Sequence, residues 1–172
     1  MDYFLELTNA MTFLAKQGAL FLGQSIRYDG QAMHPSFSGV PMEQRIEMPV
    51  AEDFQMGFST GLALTGQLVV SVYPRFDFLL LAANQLVNHL DKLPLMSSYR
   101  PKVIIRTAVG STEPLNPGPQ HCQDHTEAFA KMLRTVHVQP LTHVESIMPA
   151  YRDALNREAS TLLIEYASEY RK

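Results

Sequence analysis

Apolar residues recur along the chain with two different spacings, and together these predict helices that alternate with strands. Leu7, Ala10, Met11 and Leu14 fall on one face of a helix, which predicts an amphipathic helix over residues 4–17. The short apolar run at 68–72 is typical of a buried strand. Further helices are predicted at 52–65, 77–91, 124–134 and 146–157, and further strands at 19–22, 102–106, 136–139 and 161–165.

Two segments have little periodicity and are predicted to be loops. Residues 23–47 hold three glycines and two prolines, and residues 107–121 are rich in the same two amino acids. Loops of this length in a compact domain are usually functional or disordered. Gly57 and Gly61 lie four residues apart in the helix predicted at 52–65, so we expect another element to pack closely there.

Strands separated by helical stretches of about 10–15 residues indicate a mostly parallel sheet that is covered by helices on both faces. The expected fold class is therefore α/β, with three layers in the order helix, sheet, helix. In such sheets, ligands bind in the loops that follow the carboxyl ends of the strands.

Composition agrees with one globular domain and excludes several function classes. The chain has 172 residues, of which 46% are hydrophobic and 18% charged, with a formal net charge of −3. A general nucleic-acid-binding protein would need a concentrated basic face, so we expect no nucleic-acid partner.

The sequence also predicts where in the cell the protein is located. The longest apolar run, residues 78–83, is far shorter than the roughly 20 residues of a membrane span, so no membrane association is expected. The N-terminus carries acidic residues where a secretory signal has basic ones, and a single cysteine, Cys122, suits a reducing compartment. A cytoplasmic location is expected.

The residues allow several kinds of chemistry, and none has a diagnostic spacing. Cys122 could be a nucleophile, although an inert, half-buried thiol is commoner. His121 and His125 have the i, i+4 spacing that chelates a metal on one helical face, but no second ligand cluster accompanies them, and capping of a loop-to-helix junction explains the same residues. We therefore assign no metal ligands.

One acidic residue, Glu52, and two aromatic residues, Phe76 and Phe78, follow predicted strands. Glu52 comes directly after an apolar Pro-Val-Ala segment, which we interpret as a strand end that leads into a helix. Its alternative role is to complement the helix dipole. Phe76 and Phe78 follow the strand at 68–72 and form either a platform for a flat ring or part of the core.

Four segments, in order, resemble the pyrimidine-binding domain of thiamine-diphosphate enzymes, above all the beta subunit of the decarboxylating component of 2-oxo acid dehydrogenases and, more widely, transketolase-like domains. They are LFLGQSIRYDG at 20–30, PVAEDFQMGFSTGLALTG at 49–66, RFDFLLLAANQLVN at 75–88 and PGPQHCQDHTEAFA at 117–130. The resemblance continues to Glu165 and covers the whole chain, but only the first half of the usual subunit.

The resemblance implies roles for particular residues. Glu52 takes the position of the carboxylate that hydrogen-bonds the pyrimidine ring of thiamine diphosphate, and Ala51 precedes it at the same cofactor. Phe78 takes the position of the aromatic residue that stacks on that ring, and His121 that of the histidine facing the substrate. Glu52 and His121 are then catalytic. Asn84, Gln85 and Asn88 match a helix that helps build the subunit contact.

The chain also departs from the family. Phe54 stands where a glycine is usual, the H-S-Q motif is H-C-Q, and the diphosphate-binding and C-terminal domains are not found in residues 1–172. The resemblance therefore implies one subunit of a split enzyme acting on a 2-oxo acid or ketose. A diphosphate-binding partner would hold Mg²⁺ in a heterotetramer. The alternatives are a non-catalytic assembly or regulatory relative, and an unrelated α/β protein with a metal at His121 and His125.

Overall fold

A computed structural model describes residues 2–114 and 116–170 and places six parallel strands between two layers of helices. The strands are β1 (Leu20–Gly23), β2 (Arg45–Glu47), β3 (Val69–Tyr73), β4 (Val103–Val109), β5 (His137–Pro140) and β6 (Thr161–Tyr166). Their order across the sheet is β2-β1-β3-β4-β6-β5, and every neighbouring pair is parallel. The expected three-layer α/β class is confirmed.

The α-helices are α1 (Tyr3–Lys16), α2 (Glu52–Leu64), α3 (Phe76–Leu79), α4 (Leu93–Met96), α5 (Thr126–Met132) and α6 (Val144–Asn156). Single turns of 3₁₀-helix occur at His34–Phe37, Met42–Gln44, Leu80–Ala82, Pro119–His121 and Ala167–Glu169. The predicted helix at 77–91 is helical but irregular, because its backbone passes from α geometry through a 3₁₀ turn into a π-helix at Gln85–Leu90.

Two apolar clusters hold the layers together, one on each face of the sheet. On one face α1 and α6 cover the sheet, with Leu7, Leu14 and Tyr151 fully buried. On the other face α2 and the helical segments at 76–90 bury residues such as Met56 and Leu86. The strands carry apolar side chains on both faces, as expected for a parallel sheet covered on both sides.

A buried ion pair lies within the α1–α6 layer. Arg106 of β4 and Glu165 of β6 form a bidentate pair, and both side chains are fully buried. Tyr151 and Tyr170 donate hydrogen bonds to the Glu165 carboxylate at 3.0 and 2.6 Å, and Arg106 donates to Ser36 at 2.7 Å. The network therefore fixes the turn at 34–37 against the centre of the sheet.

Three predictions about local structure were wrong. The segment 23–47 is not a continuous loop, because it contains two 3₁₀ turns and ends in the edge strand β2. Residues 49–51, interpreted as a strand end, have no regular structure and follow β2. Nothing packs within 4 Å of a Cβ built at Gly61, so the close approach expected there does not occur.

The other predicted helices and strands begin and end within three residues of the observed bounds. The predicted loop at 107–121 includes residue 115, which lies outside the described residues, and its first residues extend β4 to Val109. None of the helices in the described part of the chain is long and apolar enough to cross a bilayer.

Candidate functional site

The predicted site residues Glu52, Phe78 and His121 lie at the carboxyl edge of the sheet, together with Gln24, for which no role was predicted. Gln24 follows β1, Glu52 follows β2, Phe78 follows β3 and His121 follows β4. Because all six strands run in parallel, their carboxyl ends meet along one edge. This edge is where ligands bind in open α/β sheets.

Glu52 is the first residue of α2 and is only 5% exposed. One carboxylate oxygen, Oε1, accepts a hydrogen bond from Gln24 Nε2 at 2.9 Å. The backbone N–H groups at a helix N-terminus add a favourable field for a negative charge. The Glu52 carboxylate is thus shielded from water, and the other oxygen, Oε2, makes no hydrogen bond within the described residues.

Polar contacts behind Glu52 fix α2 to β3. The Tyr73 hydroxyl donates to the backbone oxygen of Glu52 at 3.3 Å. Gln55, one turn along α2, donates from Nε2 to the Val72 carbonyl at 3.0 Å and to Ser71 Oγ at 3.2 Å. Burial raises the pKa of the Tyr73 phenol, and the nearby Glu52 charge raises it further. Tyr73 therefore stays a hydroxyl donor across the ordinary pH range.

Phe78 and His121 form a second pair at the same edge. Their ring centroids are 5.5 Å apart, and the rings meet edge-to-face at 81°. Arg75 donates from its guanidinium to the backbone oxygen of His121 at 3.1 Å. The ring atom Nδ1 of His121 is buried and has no hydrogen-bond partner among the described residues. It is therefore a polar atom that a bound molecule or a water could satisfy.

Phe76 has a different place from Phe78. It is fully buried against Phe129, with ring centroids 5.3 Å apart, and His125 meets it edge-to-face at 5.4 Å. Of the two alternatives for these aromatic residues, core packing is the one that holds for Phe76. Phe78, which is half-buried, is the ring that stays accessible.

Ala51 directly precedes α2 in a non-helical conformation. Its φ is −156°, and its carbonyl accepts the first helical hydrogen bond, from the Gln55 N–H at 2.9 Å. A methyl side chain here offers no polar group to a ligand. The role of Ala51 at a cofactor stays a prediction, as do those of Glu52, Phe78 and His121.

The contacts join these residues into two pairs and not into one cluster. Gln24 contacts Glu52, and Phe78 contacts His121. In the described chain no hydrogen bond or ring contact links Glu52 to Phe78 or His121. The first pair lies after β1 and β2 and the second after β3 and β4, so the two pairs are side by side along the sheet edge. No role for Gln24 was predicted, although its position directly after β1 could have indicated a residue at the ligand-binding edge.

The metal hypothesis depended on His121 and His125 sharing one helix, and this is wrong. His121 ends a 3₁₀ turn, whereas His125 precedes the first residue of α5. His125 Nε2 instead lies 3.6 Å from Asp77 Oδ1. Over residues 2–114 and 116–170, no group of three or more His, Cys, Asp or Glu side chains is arranged to hold a metal ion.

Cys122 is half-buried, and its sulfur donates to the Ser111 carbonyl at 3.6 Å. This contact ties the loop after β4 to its own start. The hydrogen bond is the kind that a structural thiol makes, and the nucleophile hypothesis gains no support from it.

Comparison with known proteins gives a likeness in fold. A solved structure described as a split-gene transketolase, an inactive beta4 tetramer, superimposes with a TM-score of 0.71 at 16% sequence identity. The chain has a transketolase-like fold. The match covers 92% of this chain and 49% of the other, so the chain spans about half the length of that protein. No protein-family model and no curated protein matches the sequence.

At 16% identity the likeness concerns the fold alone, and the narrower link to 2-oxo acid dehydrogenase beta subunits stays a prediction.

Proposed function

We propose that this chain is the pyrimidine-binding subunit of a split thiamine-diphosphate-dependent enzyme. The enzyme acts on a 2-oxo acid or ketose, cleaving or transferring a carbon–carbon bond. The single observation that carries the proposal is the buried Glu52 side chain at the carboxyl edge of a transketolase-like sheet, with Oε1 held by Gln24 and no hydrogen bond to Oε2 from the described residues. Because Oε1 already accepts the Gln24 amide, Oε2 is the oxygen left for a ligand.

The residues present fit an aminopyrimidine ring. Glu52 Oε2 can share a proton with a ring nitrogen, because none of the described residues hydrogen-bonds it while Oε1 accepts the Gln24 amide. Phe78 offers a half-buried aromatic surface for offset stacking on a flat heterocycle. When bound, thiamine diphosphate supplies the carbon nucleophile and the electron sink of the reaction.

We propose that His121 serves the substrate and not the ring. Its orientation is fixed by the edge-to-face contact with Phe78 and by Arg75, which holds its backbone oxygen. Its buried Nδ1 has no partner in the described chain, so it can exchange a proton or hydrogen bond with a bound group. Catalytic roles for Glu52 and His121, and cofactor contacts for Glu52, Ala51 and Phe78, complete the proposed site.

A partner is part of the proposal. A diphosphate needs Mg²⁺ and hard oxygen ligands, and no group of acidic or histidine side chains in the described residues is arranged for an ion. We propose that a second subunit holds the Mg²⁺ and diphosphate, in a heterotetramer with two copies of each chain. The matched transketolase is described as an inactive beta4 tetramer, and we carry over to this chain that it is inactive alone.

An exposed apolar surface on α2 and the next helical segment suits subunit assembly. Phe54 and Phe58 stack on each other 5.8 Å apart and are 57% and 40% exposed. Leu80 and Leu81, on the segment packed against α2, are 42% and 64% exposed. Apolar surface left open in this way marks protein–protein contact sites. Asn84, Gln85 and Asn88 continue the surface with neutral polar groups.

The test is calorimetric titration with thiamine diphosphate and Mg²⁺. Two samples are compared, the chain alone and the chain copurified with the product of its neighbouring gene. Tight binding by the pair only is the expected result, followed by turnover with 2-oxo acids or ketoses. A well-formed pair that binds no cofactor would overturn the proposal in favour of a non-catalytic assembly subunit.

Glu52→Gln tests the carboxylate itself. We expect turnover of the assembled pair to fall at least about 100-fold, the usual contribution of a positioned proton-transfer group, while the fold is unchanged. Glu145→Gln is the matched control, because Glu145 also lies in the first turn of a helix but is exposed on the opposite layer. Near-normal turnover of the Glu52 variant would contradict the mechanism.

A further inference from the structure

The turn that carries Gln24 is fixed by the carboxylate of Glu47. Glu47 is the last residue of β2, and its two oxygens accept the backbone N–H groups of Ser25, Ile26 and Arg27 at 2.5, 3.1 and 3.0 Å. Ser25 adopts a φ of +52°, a left-handed conformation that residues other than glycine rarely occupy. Hydrogen bonds to a charged acceptor are about twice as strong as neutral ones, so they can hold this unfavourable turn.

The backbone of Gln24 is also held from its other side. Gln31 donates from Nε2 to the Gln24 carbonyl at 3.0 Å. A Cβ built on Gly23 would lie 2.8 Å from the Val72 carbonyl, so β1 ends in close contact with β3. The direction in which the Gln24 side chain leaves the sheet is therefore set by three separate elements.

That direction brings the Gln24 amide to Glu52, 28 residues further along the chain, with Nε2 and Oε1 2.9 Å apart. An amide N–H bonds an unprotonated oxygen and competes with a proton for it. Any proton that Glu52 shares with a ligand is thus confined to Oε2.

We propose that Gln24 is a positioning residue, which reserves Glu52 Oε1 and so presents Oε2 to the ring nitrogen of the cofactor. This inference rests on the proposed function for its ligand. Its structural part, the coupling of Gln24 to Glu52, does not depend on that function. Glu47 acts one step further back, by holding the turn on which Gln24 stands.

The first measurement uses the chain without cofactor. In an amide NMR spectrum of the ¹⁵N-labelled chain, Gln24→Met identifies the Gln24 side-chain signals by their loss, since methionine keeps the length of glutamine but cannot hydrogen-bond. Glu52→Gln is expected to shift those signals, and Glu145→Gln to leave them unchanged. If the Gln24 side-chain signals do not shift in the Glu52→Gln variant, the contact between Gln24 and Glu52 is overturned.

The second measurement is cofactor affinity of the assembled pair. We expect Gln24→Met to weaken thiamine diphosphate binding about tenfold in wild type and by less than about twofold when Glu52 is already glutamine. Gln67→Met is the control, because Gln67 also donates an amide hydrogen bond, to Gly18 at 2.9 Å, but precedes β3 at the opposite edge of the sheet. An equal loss on both Glu52 backgrounds would show that Gln24 acts through general structure and overturn the positioning role.

The two proposals fail in different ways. If the wild-type pair binds no cofactor, the proposed function fails, and the role of Gln24 toward a cofactor fails with it. If the wild-type pair binds and Gln24→Met binds equally well, only the role of Gln24 fails.

Discussion

The carbonyl oxygen of His121 lies 1.9 Å from the place where a Cβ on Gly110 would stand. Gly110 follows the last residue of β4, and His121 ends the turn that returns to the same strand end. The approach is possible only because residue 110 has no side chain. The Arg75 guanidinium, which would be 3.0 Å from that Cβ, holds the His121 carbonyl from the other side.

Gly110→Ala is therefore expected to displace His121 while the sheet stays intact. A contact of this length with backbone cannot be relieved by a side-chain rotation, so the loop must move. We expect turnover of the assembled pair to fall by about tenfold or more, since small misplacements of a catalytic group have large effects on rate. Circular dichroism of the variant should match the wild type.

Gly61→Ala is the matched control for that change. Gly61 lies within α2 with no heavy atom within 4 Å of an added Cβ. Alanine in a helix interior is favoured over glycine by about 0.5–1 kcal/mol. The control is expected to be slightly more stable and fully active, and equal losses in both variants would contradict the argument for Gly110.

The sheet was predictable because burial on both faces gives its strands a simple sequence pattern. The core strand β4 appears as a run of apolar residues interrupted by Arg106 and Thr107, and its position could be found from that run. The edge strand β2 could not, because it has only three residues and two of them are charged. Arg45 and Glu47 hydrogen-bond the preceding loop, so the strand needs charged residues and has no apolar pattern by which it could be predicted.

The site was predictable only in part, for a related reason. The resemblance indicated Glu52, which the structure buries at the start of α2. The Gln24 contact depends on how the ends of β1 and β2 lie side by side, which no local pattern encodes. The metal hypothesis failed because His121 ends a separate 3₁₀ turn and α5 begins only at Thr126, so no single helix holds both His121 and His125.

Phe78→Ala should weaken thiamine diphosphate binding by the assembled pair. The variant removes the ring proposed to stack on the pyrimidine and also the edge-to-face partner of His121. Aromatic pairs contribute about 0.5–1.5 kcal/mol beyond area burial, so we expect a loss of about tenfold in affinity by calorimetry. Tyr99→Ala, which removes an exposed aromatic residue before the amino end of β4, should have no effect. Equal affinity of both variants would remove Phe78 from the site.

Glu165→Gln should destabilise the chain strongly, because it leaves the buried Arg106 guanidinium without a counter-charge. Breaking a buried ion pair by removing one partner costs about 3–5 kcal/mol. Urea denaturation at a fixed chain concentration would measure the loss. The double variant Arg106→Met, Glu165→Gln should recover part of the stability, since no unpaired buried charge remains. A single variant that loses less than about 1 kcal/mol would contradict this account.

Asp91 gives the chain a dependence of stability on acid. Its Oδ1 accepts the backbone N–H groups of Arg134, Thr135 and Val136 at 2.8, 2.7 and 2.9 Å, and Lys92 pairs with Oδ2. Burial alone raises the pKa of Asp91, but the hydrogen bonds from Lys92 and these N–H groups outweigh it, so the pKa lies below its ordinary value. The connection between α5 and β5 is thus held by an ionised carboxylate.

Because the pKa of Asp91 is lower in the folded than in the unfolded chain, its stabilisation is fully present above the unfolded pKa, about 3.9. It is lost as the pH falls through the folded-state pKa. At neutral pH, Asp91→Asn should reduce the free energy of unfolding by about 1.5–3 kcal/mol, the usual contribution of hydrogen bonds to a charged group. The difference in unfolding free energy between the variant and wild type should shrink as the pH falls below the pKa of the Asp91 carboxyl in the unfolded chain. Asp153→Asn, an exposed acid in α6, should show neither effect, and a constant difference for Asp91→Asn at all pH values would mean that its charge is not what holds the loop.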